Sequence, residues 1–190
     1  MIKAISFDLY NTLVQFWPPL DEVQQAACRE LGLNVCRASI RRGYAVADIF
    51  FNEENGRDSL GLRSAEERLE FFARYEQLIL ENAGLPVSLD LARQIWAMAM
   101  TIPKDFVAFD DTIPALEALR AQGYRLGVLS NLRRDMDELC EKLGLAPFLD
   151  FCISPTEPGG EKPDPAMFLE GLNRVSVAAE EAVHVGDQYA

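Results

Sequence analysis

An α/β fold is predicted by the sequence, with a doubly wound parallel sheet that an all-helical domain interrupts near its start. After Pro103, short apolar segments alternate with helical patterns, the order typical of βαβ units and a parallel sheet. Between Phe16 and Pro103, apolar residues recur at helical spacing and show no alternation of period two. We therefore expect a discontinuous α/β core over residues 1–15 and 104–190, and a helical domain over residues 16–103.

The predicted core begins with an apolar strand over residues 2–7 that stops at Asp8. Thr112 and Pro114 mark the start of a helix that continues over residues 115–122 and ends at Gly123. The remaining core elements are expected to be strands over 124–129, 151–153 and 182–185, and helices over 134–143 and 166–174.

Four helices are predicted in the inserted domain. Ser64 and Glu67 fit a capping box, in which each side chain satisfies a backbone N–H of the other residue, so a helix should begin there and end near Gly84. The aromatic residues Phe71, Phe72 and Tyr75 on this helix are expected to form the domain's own core. The other three helices are expected over 21–32, over 38–51 with the polar run 52–56 closing it, and over 89–100.

Composition and charge exclude several classes of partner. The 190 residues include 30 acidic and 18 basic side chains, giving a formal net charge of −12. Such a field repels polyanions and argues against nucleic acid or an anionic membrane as a partner, although one lysine can reverse it inside a pocket that binds a small anion. No apolar run approaches the ~18 residues of a membrane span, and the N-terminal run is too short for a signal peptide.

The cysteines and the single histidine argue against a disulfide framework and a zinc site. The four cysteines show no C-x-x-C spacing, so reduced packing thiols in a cytoplasmic protein are expected. His184 has no His or Cys neighbour at ligand spacing. The cysteines are Cys28, Cys36, Cys140 and Cys152.

Polar side chains follow three of the predicted strands at the points where those strands end. These residues are Asp8, then Ser130 with Asn131, then Asp187, and Lys162 precedes the helix that follows a fourth strand. Because ligands of open parallel sheets bind beyond the carboxyl ends of the strands, we expect these side chains to converge on one edge.

Such a set of side chains suits nucleophilic displacement by a carboxylate. Asp8 would attack an electrophilic centre and form a covalent acyl intermediate that water hydrolyses. Lys162 would favour the ionised form of Asp8 and offset the charge of an anionic substrate, and the Ser130 hydroxyl would hold oxygens of the transferred group. Asp187 beside Asp8 would bring two carboxylates together, and oxygen-only ligands near a phosphate suggest Mg²⁺.

On these residues the chain resembles the haloacid dehalogenase superfamily. The resemblance implies a Rossmann-like core and a helical cap, inserted after the first motif, that closes over the site and sets substrate choice. The four motifs that carry it are Phe7-Asp-Leu-Tyr-Asn-Thr-Leu13, Leu129-Ser-Asn131, Glu161-Lys-Pro-Asp-Pro165 and Val185-Gly-Asp187.

The predicted site follows from the motifs and the chemistry together. Asp8, Tyr10 and Lys162 are the candidate catalytic residues, with Asp8 as nucleophile and Lys162 balancing its charge. Asp8, Asp187 and the Tyr10 backbone carbonyl are the candidate Mg²⁺ ligands. The candidate substrate-binding residues are Thr12, Ser130, Asn131 and Arg41.

Tyr10 leaves three functions open. Family phosphatases carry a second aspartate two residues after the nucleophile, which protonates the leaving oxygen, and Tyr10 has no carboxylate. The first function is Mg²⁺-dependent hydrolysis of a small phosphate ester. The second is metal-free hydrolysis of a 2-halo acid, which Tyr10 favours and Asp187 disfavours, with Arg37, Arg41 or Arg42 available for the substrate carboxylate. The third is a weakly active protein that binds a ligand or partner.

The end of the sequence carries a further expectation. A doubly wound domain should continue past the strand that ends at Asp187 with a helix and another strand, and the family's fourth motif has a second acidic residue four or five positions later. We therefore expect a truncated chain, or else a sheet face left bare or covered by a partner chain. A small anionic molecule is the expected substrate, and no sequence feature indicates an oligomeric state.

Overall fold

A computed structural model describes residues 1–155 and 160–187 of the chain. Its residues fall into two compact units. The core unit consists of Met1–Phe16 and Phe106–Ala190, and the helical unit consists of Trp17–Asp105.

Four strands form one sheet in the core unit, and all of its pairings are parallel. The strand order is β5 (Phe151–Ile153), β4 (Arg125–Leu129), β1 (Ala4–Phe7) and β6 (Ala182–Val185), so β1 lies between β4 and β6. The predicted parallel α/β architecture is therefore confirmed. The described residues form two further strands, β2 (Val14–Trp17) and β3 (Asp105–Ala108).

The described part of the chain contains seven α-helices. None of these helices is long and apolar enough to cross a bilayer. The first four belong to the helical unit and the last three to the core unit. They are α1 (Leu20–Glu30), α2 (Arg37–Arg57), α3 (Ala65–Asn82), α4 (Leu89–Thr101), α5 (Thr112–Ala121), α6 (Met136–Lys142) and α7 (Pro165–Val175).

Successive residues of β4 face two different hydrophobic clusters, so helices cover both sides of the sheet. Val128 packs in a cluster with Leu116 of α5 and Leu139 of α6. Its neighbour Leu129 packs in another cluster with Met167 of α7. This side-to-side alternation is the expected period of a strand that is buried on both faces.

A two-stranded sheet formed by β2 and β3 was not predicted. The two strands are four residues each, with the sequences VQFW and DFVA, which is too short for an alternation to be recognised. Directly before β2, Leu13 accepts two hydrogen bonds through its carbonyl oxygen. The donors are the Phe109 backbone N–H at 3.1 Å and the Thr112 hydroxyl at 2.7 Å, so the first motif is tied to the start of α5.

The helical unit confirms three of its predicted helices closely and corrects one. The Ser64–Glu67 capping box is present, with backbone-to-side-chain distances of 3.2 and 2.7 Å. The predicted stop of α2 at the polar run 52–56 is wrong, because the helix continues to Arg57. Arg57 pairs with Glu54 at 2.9 Å one turn away, and such exposed pairs let a polar run remain helical.

The core of the helical unit is built from aliphatic and aromatic layers. Ile40, Ile79 and Ile95 are fully buried at the meeting of α2, α3 and α4. Phe71 lies in contact with several other rings, and Phe72 stacks on Trp96 at 5.1 Å. The predicted aromatic residues thus pack within the helical unit itself.

Strand β6 forms one edge of the four-stranded sheet. Val183 and Val185, which pair in register with Ile5 and Phe7, remain 43% and 40% exposed. Gln188, next to the fourth motif, lies outside the described residues.

Candidate active site

Asp8 and Lys162 form an ion pair at the carboxyl edge of the sheet. Asp8 directly follows β1, and its backbone N–H donates to the Val185 carbonyl oxygen at 2.8 Å, which fixes the residue against β6. The Lys162 ammonium donates to Asp8 Oδ1 at 2.6 Å across 154 positions of sequence. The two side chains are only 15% and 18% exposed, so this charge-assisted bond is partly shielded from water.

Asp187 brings a second carboxylate to the same edge. It follows β6, the strand next to β1. Partial burial raises the pKa of Asp187, and the negative charge of Asp8 raises it further, while a hydrogen bond with the Asn11 side chain acts in the opposite direction. The repulsion between the two carboxylates is what a bound cation would relieve.

Ser130 places a hydroxyl at the end of β4. The residue is 2% exposed, and its backbone N–H donates to the Ile153 carbonyl at 3.1 Å. Its Oγ accepts from the Leu132 N–H at 3.3 Å. A hydroxyl that accepts in this way still has its own proton to donate to a substrate oxygen.

Asn131 is turned toward the Lys162 backbone. Its Oδ1 accepts from the Lys162 N–H at 2.7 Å, and its Nδ2 donates to the Lys162 carbonyl at 2.9 Å. The second and third motifs are therefore joined directly. Substrate binding by Asn131 stays a prediction.

Thr12 and Tyr10 lie in the loop that follows Asp8. Within the described residues, Thr12 Oγ1 is buried and has no hydrogen-bond partner. The Tyr10 ring packs against Phe16 and Phe106, with centroid distances of 5.2 and 6.0 Å. A buried hydroxyl without a partner is costly. Substrate binding by Thr12 stays a prediction.

Arg41 is engaged within the helical unit. Its Nη1 donates to Asp21 Oδ2 at 2.7 Å, and Arg37 donates to both oxygens of the same carboxylate. Burial acts to raise the pKa of Asp21, but the hydrogen bonds and charges of Arg37 and Arg41 outweigh it and lower that pKa. The structure thus gives Arg41 an ion pair, and its substrate-binding role stays a prediction.

A family model for haloacid dehalogenase-like hydrolases matches residues 2–190, nearly the whole chain. The protein belongs to this family. It is accordingly a hydrolase, and the resemblance inferred from the four motifs is confirmed.

Two curated relatives and one solved structure illustrate the match. A ribulose-1,5-bisphosphate 5-phosphatase of Halopiger xanaduensis is 30% identical, over 98% of this chain and 77% of that protein. A glyceraldehyde 3-phosphate phosphatase of Methanopyrus kandleri is 31% identical, over 99% of this chain and 76% of that protein. A haloacid dehalogenase family hydrolase from Deinococcus radiodurans, solved with bound phosphate and sodium, aligns with a TM-score of 0.61 at 21% identity. That alignment covers 98% of this chain and 73% of the other and shows the shared fold.

The contacts made by Arg133 and by His184, beside the hydrolase motifs, were not predicted. Arg133 Nη2 lies 2.6 Å from Glu161 Oε1 and joins the same two loops as Asn131 does. His184 lies in β6 as predicted, with its Nδ1 2.9 Å from Ser6 Oγ and its ring edge-on to Phe168. Ser6 lies two residues before Asp8, so the alternation of a strand predicts that the two side chains lie on the same face. Nothing in the sequence predicts that Ser6 contacts His184.

The carboxylates available to a metal ion are few. Residues 1–155 and 160–187 contain no group of three or more His, Cys, Asp or Glu side chains placed to hold one. The predicted ligand set contains only two carboxylates, Asp8 and Asp187, with the Tyr10 carbonyl as its third member.

Proposed function

We propose that this hydrolase cleaves small phosphate monoesters, with Asp8 as the nucleophile. The observation that carries the proposal is the 2.6 Å pair between Lys162 and Asp8, beside the buried Ser130 hydroxyl at the end of the neighbouring strand. The phosphatase names of the relatives from Halopiger xanaduensis and Methanopyrus kandleri support phosphate esters as the substrate class.

The chemistry takes place in two displacements. An Asp8 carboxylate oxygen attacks phosphorus, and the bond from phosphorus to the ester oxygen breaks. The products are an acyl phosphate and an alkoxide or phenolate, which takes a proton from solvent. Water then cleaves the acyl phosphate, which releases inorganic phosphate and restores the carboxylate. Lys162 offsets negative charge at Asp8 and on the phosphoryl oxygens, and the Ser130 hydroxyl donates to one of those oxygens.

Mg²⁺ is the cofactor that fits this set of donors. Mg²⁺ is usually held in proteins by one or two carboxylates together with waters and substrate phosphate oxygens, and Asp8 and Asp187 supply two adjacent carboxylates. We infer that these two residues and the Tyr10 backbone carbonyl hold the ion. When bound, Mg²⁺ would neutralise charge on the carboxylates and the phosphate.

Tyr10 favours a second candidate function, hydrolysis of 2-halo acids. A halide leaves without a proton, so this reaction needs no acid at position 10, whereas an alcohol leaving from a phosphate ester does. The position of Asp187 beside Asp8 favours the phosphatase, because a metal-free site gains nothing from two adjacent carboxylates.

Release of phosphate from p-nitrophenyl phosphate tests the proposal. We expect turnover with Mg²⁺, none in EDTA, and loss of turnover in Asp8→Asn. Asp90→Asn, which removes an exposed carboxylate of α4, is the matched control and should behave as the wild type. Halide release from 2-chloropropionate in EDTA would instead support the dehalogenase. Absence of turnover with both substrates would contradict both enzymatic functions and favour a protein that binds a ligand or partner.

A further inference from the structure

The Asn131 side chain forms two hydrogen bonds with the backbone of Lys162, the residue whose ammonium pairs with Asp8. Its side-chain oxygen and nitrogen bond the N–H and the C=O of Lys162, at 2.7 and 2.9 Å, although the two residues are 31 positions apart. Because the Asn131 carboxamide both accepts a hydrogen bond from the Lys162 N–H and donates one to the Lys162 carbonyl, it fixes the position and the orientation of that backbone.

Among the described residues, a second side-chain link joins the same two loops, and it is weaker in kind. Arg133 and Glu161 meet at 2.6 Å, but their side chains are 45% and 19% exposed. An ion pair that is partly open to water contributes little to stability, whereas the loss of one partner of a partly buried hydrogen bond leaves the other partner unsatisfied. Asn131 therefore holds Lys162 more firmly than this ion pair holds its loop.

Lysine needs this support because its side chain is flexible. Its four-carbon stem has many rotamers, whereas the pair with Asp8 holds the ammonium 2.6 Å from Asp8 Oδ1. If the backbone of Lys162 shifts, the ammonium follows, and a displacement of about 1 Å at a reacting group can cost about 10²-fold in rate.

We propose that Asn131 is a positioning residue that acts through Lys162, holding the ammonium at Asp8. This assigns Asn131 a role other than the substrate binding predicted from the sequence. The inference rests on the proposed function where it concerns rate, and on the two hydrogen bonds where it concerns position.

A double-mutant cycle tests the effect on rate. Asn131→Ala should lower kcat for p-nitrophenyl phosphate by roughly 10- to 100-fold and leave KM within about threefold. In a Lys162→Ala background the same substitution should cost almost nothing, because the ammonium it positions is absent. Arg133→Ala is the control and should change kcat less than threefold or so. An equal cost of Asn131→Ala in both backgrounds, or a rise in KM alone, would overturn the proposal.

A second readout works without any enzymatic activity. The rate at which trinitrobenzenesulfonate modifies Lys162 can be followed by peptide mass spectrometry. We expect Asn131→Ala to raise this rate severalfold and to leave the rate at the exposed Lys3 unchanged. An unchanged rate at Lys162 would refute the positioning role, whereas a faster rate in an enzyme without phosphatase activity would refute the proposed function alone.

Two thiols of the core unit carry a second, independent inference. Cys140 in α6 and Cys152 in β5 are 0% and 8% exposed, and their sulfur atoms lie 3.2 Å apart. Cys152 also lines a cavity of about 440 Å³ together with Arg133 and Ser154, so a small reagent has a route to Cys152. The Cys152 thiol donates a hydrogen bond to the Cys140 sulfur, which lowers the pKa of the Cys140 thiol and raises that of Cys152. The Cys140 thiolate is therefore placed to take the Cys152 proton.

We infer that Cys140 and Cys152 close reversibly to a disulfide when a small-molecule disulfide is present. The Cys152 sulfur attacks the reagent as its proton passes to Cys140, and one small thiolate is expelled. Cys140 then gives up its proton to solvent and attacks the mixed disulfide at Cys152, which expels the second small thiolate. The protein loses two protons and two electrons, and the reagent is reduced to two thiols. The product ties α6 to β5 beside the strand ends of the active site.

The other cysteines provide internal controls for the test. After incubation with oxidised glutathione, non-reducing peptide mapping should show a link between Cys140 and Cys152 that dithiothreitol reverses. The exposed Cys36 should carry glutathione only, the buried Cys28 should stay unmodified, and Cys140→Ser should show no link. Modification of Cys36 while Cys140 and Cys152 remain reduced would overturn the inference.

Discussion

Tyr10 is the residue that most limits the chemistry of this site. It stands two residues after Asp8, the proposed nucleophile, and its ring packs against Phe16 and Phe106 in the core unit. A phenol with a pKa near ~10 is a poor proton donor to a leaving alkoxide at neutral pH. The site is therefore suited to leaving groups that depart without protonation.

Changing Tyr10 should alter the dependence on the leaving group. The wild type should hydrolyse p-nitrophenyl phosphate much faster than an alkyl phosphate, because nitrophenolate leaves without a proton. Tyr10→Asp should raise kcat on the alkyl phosphate by roughly 10- to 100-fold by supplying a general acid. Tyr10→Phe keeps the ring and should leave both rates nearly unchanged; if it abolished turnover, the phenol would be the acid after all.

Glu76 makes the stability of the helical unit depend on pH. The residue is 1% exposed and accepts a hydrogen bond from Gln24, and burial raises its pKa to about 8. The folded state therefore holds a proton that the unfolded chain releases near pH ~4.3. Stability from this group is fully present below that unfolded pKa and is lost as the pH rises toward about 8.

Glu76→Gln should remove this dependence, because its amide stays neutral and can still accept from Gln24. Urea denaturation followed on the helical signal should show the variant more stable than the wild type near pH ~9, by roughly a few kcal/mol, and similar to it near pH ~5. A difference between the two proteins that does not change with pH would contradict the assignment of a buried, protonated Glu76.

At the scale of elements, helices α2 and α3 approach each other closely at Gly43. A methyl group there would lie 2.1 Å from the Ile79 carbonyl oxygen, and backbone atoms cannot move aside as a flexible side chain can. Gly43→Ala should therefore destabilise the helical unit by about 1–3 kcal/mol.

Gly56, in the same helix, is the matched control. A methyl group there meets nothing within 4 Å, so Gly56→Ala should be neutral or stabilising by up to about 1 kcal/mol. Urea denaturation of both variants measures the difference. Equal stability of Gly43→Ala and the wild type would show that the helices can separate at this point without cost.

The elements that the sequence predicted well are those with a local signal. The capping box at Ser64 and the buried strand ending at Asp8 each follow from neighbouring residues alone. Strands β2 and β3 have no such signal, since pairing between distant four-residue segments stabilises them. The polar end of α2 was missed because charged residues there form pairs that support the helix.

At the scale of the whole molecule, the fold brings together residues that the sequence keeps apart. The rule that parallel strands present their carboxyl ends at one edge was enough to predict that Lys162 would lie near Asp8. The Asn131–Lys162 clamp and the Arg133–Glu161 pair could not be predicted, because they depend on how two loops meet in space. The net charge of −12 also fits this arrangement, since a local ammonium can attract a small anion while the overall field repels polyanions.

The covalent intermediate is the central claim, and trapping it is the most direct test. The enzyme with Mg²⁺ and excess p-nitrophenyl phosphate would be quenched in acid within the first turnovers, and its peptides weighed by mass spectrometry. We predict one phosphoryl group on the wild-type peptide that carries Asp8, and none on the same peptide of Asp8→Asn. Steady turnover with no phosphoryl group on Asp8, or wild-type turnover by Asp8→Asn, would contradict the account.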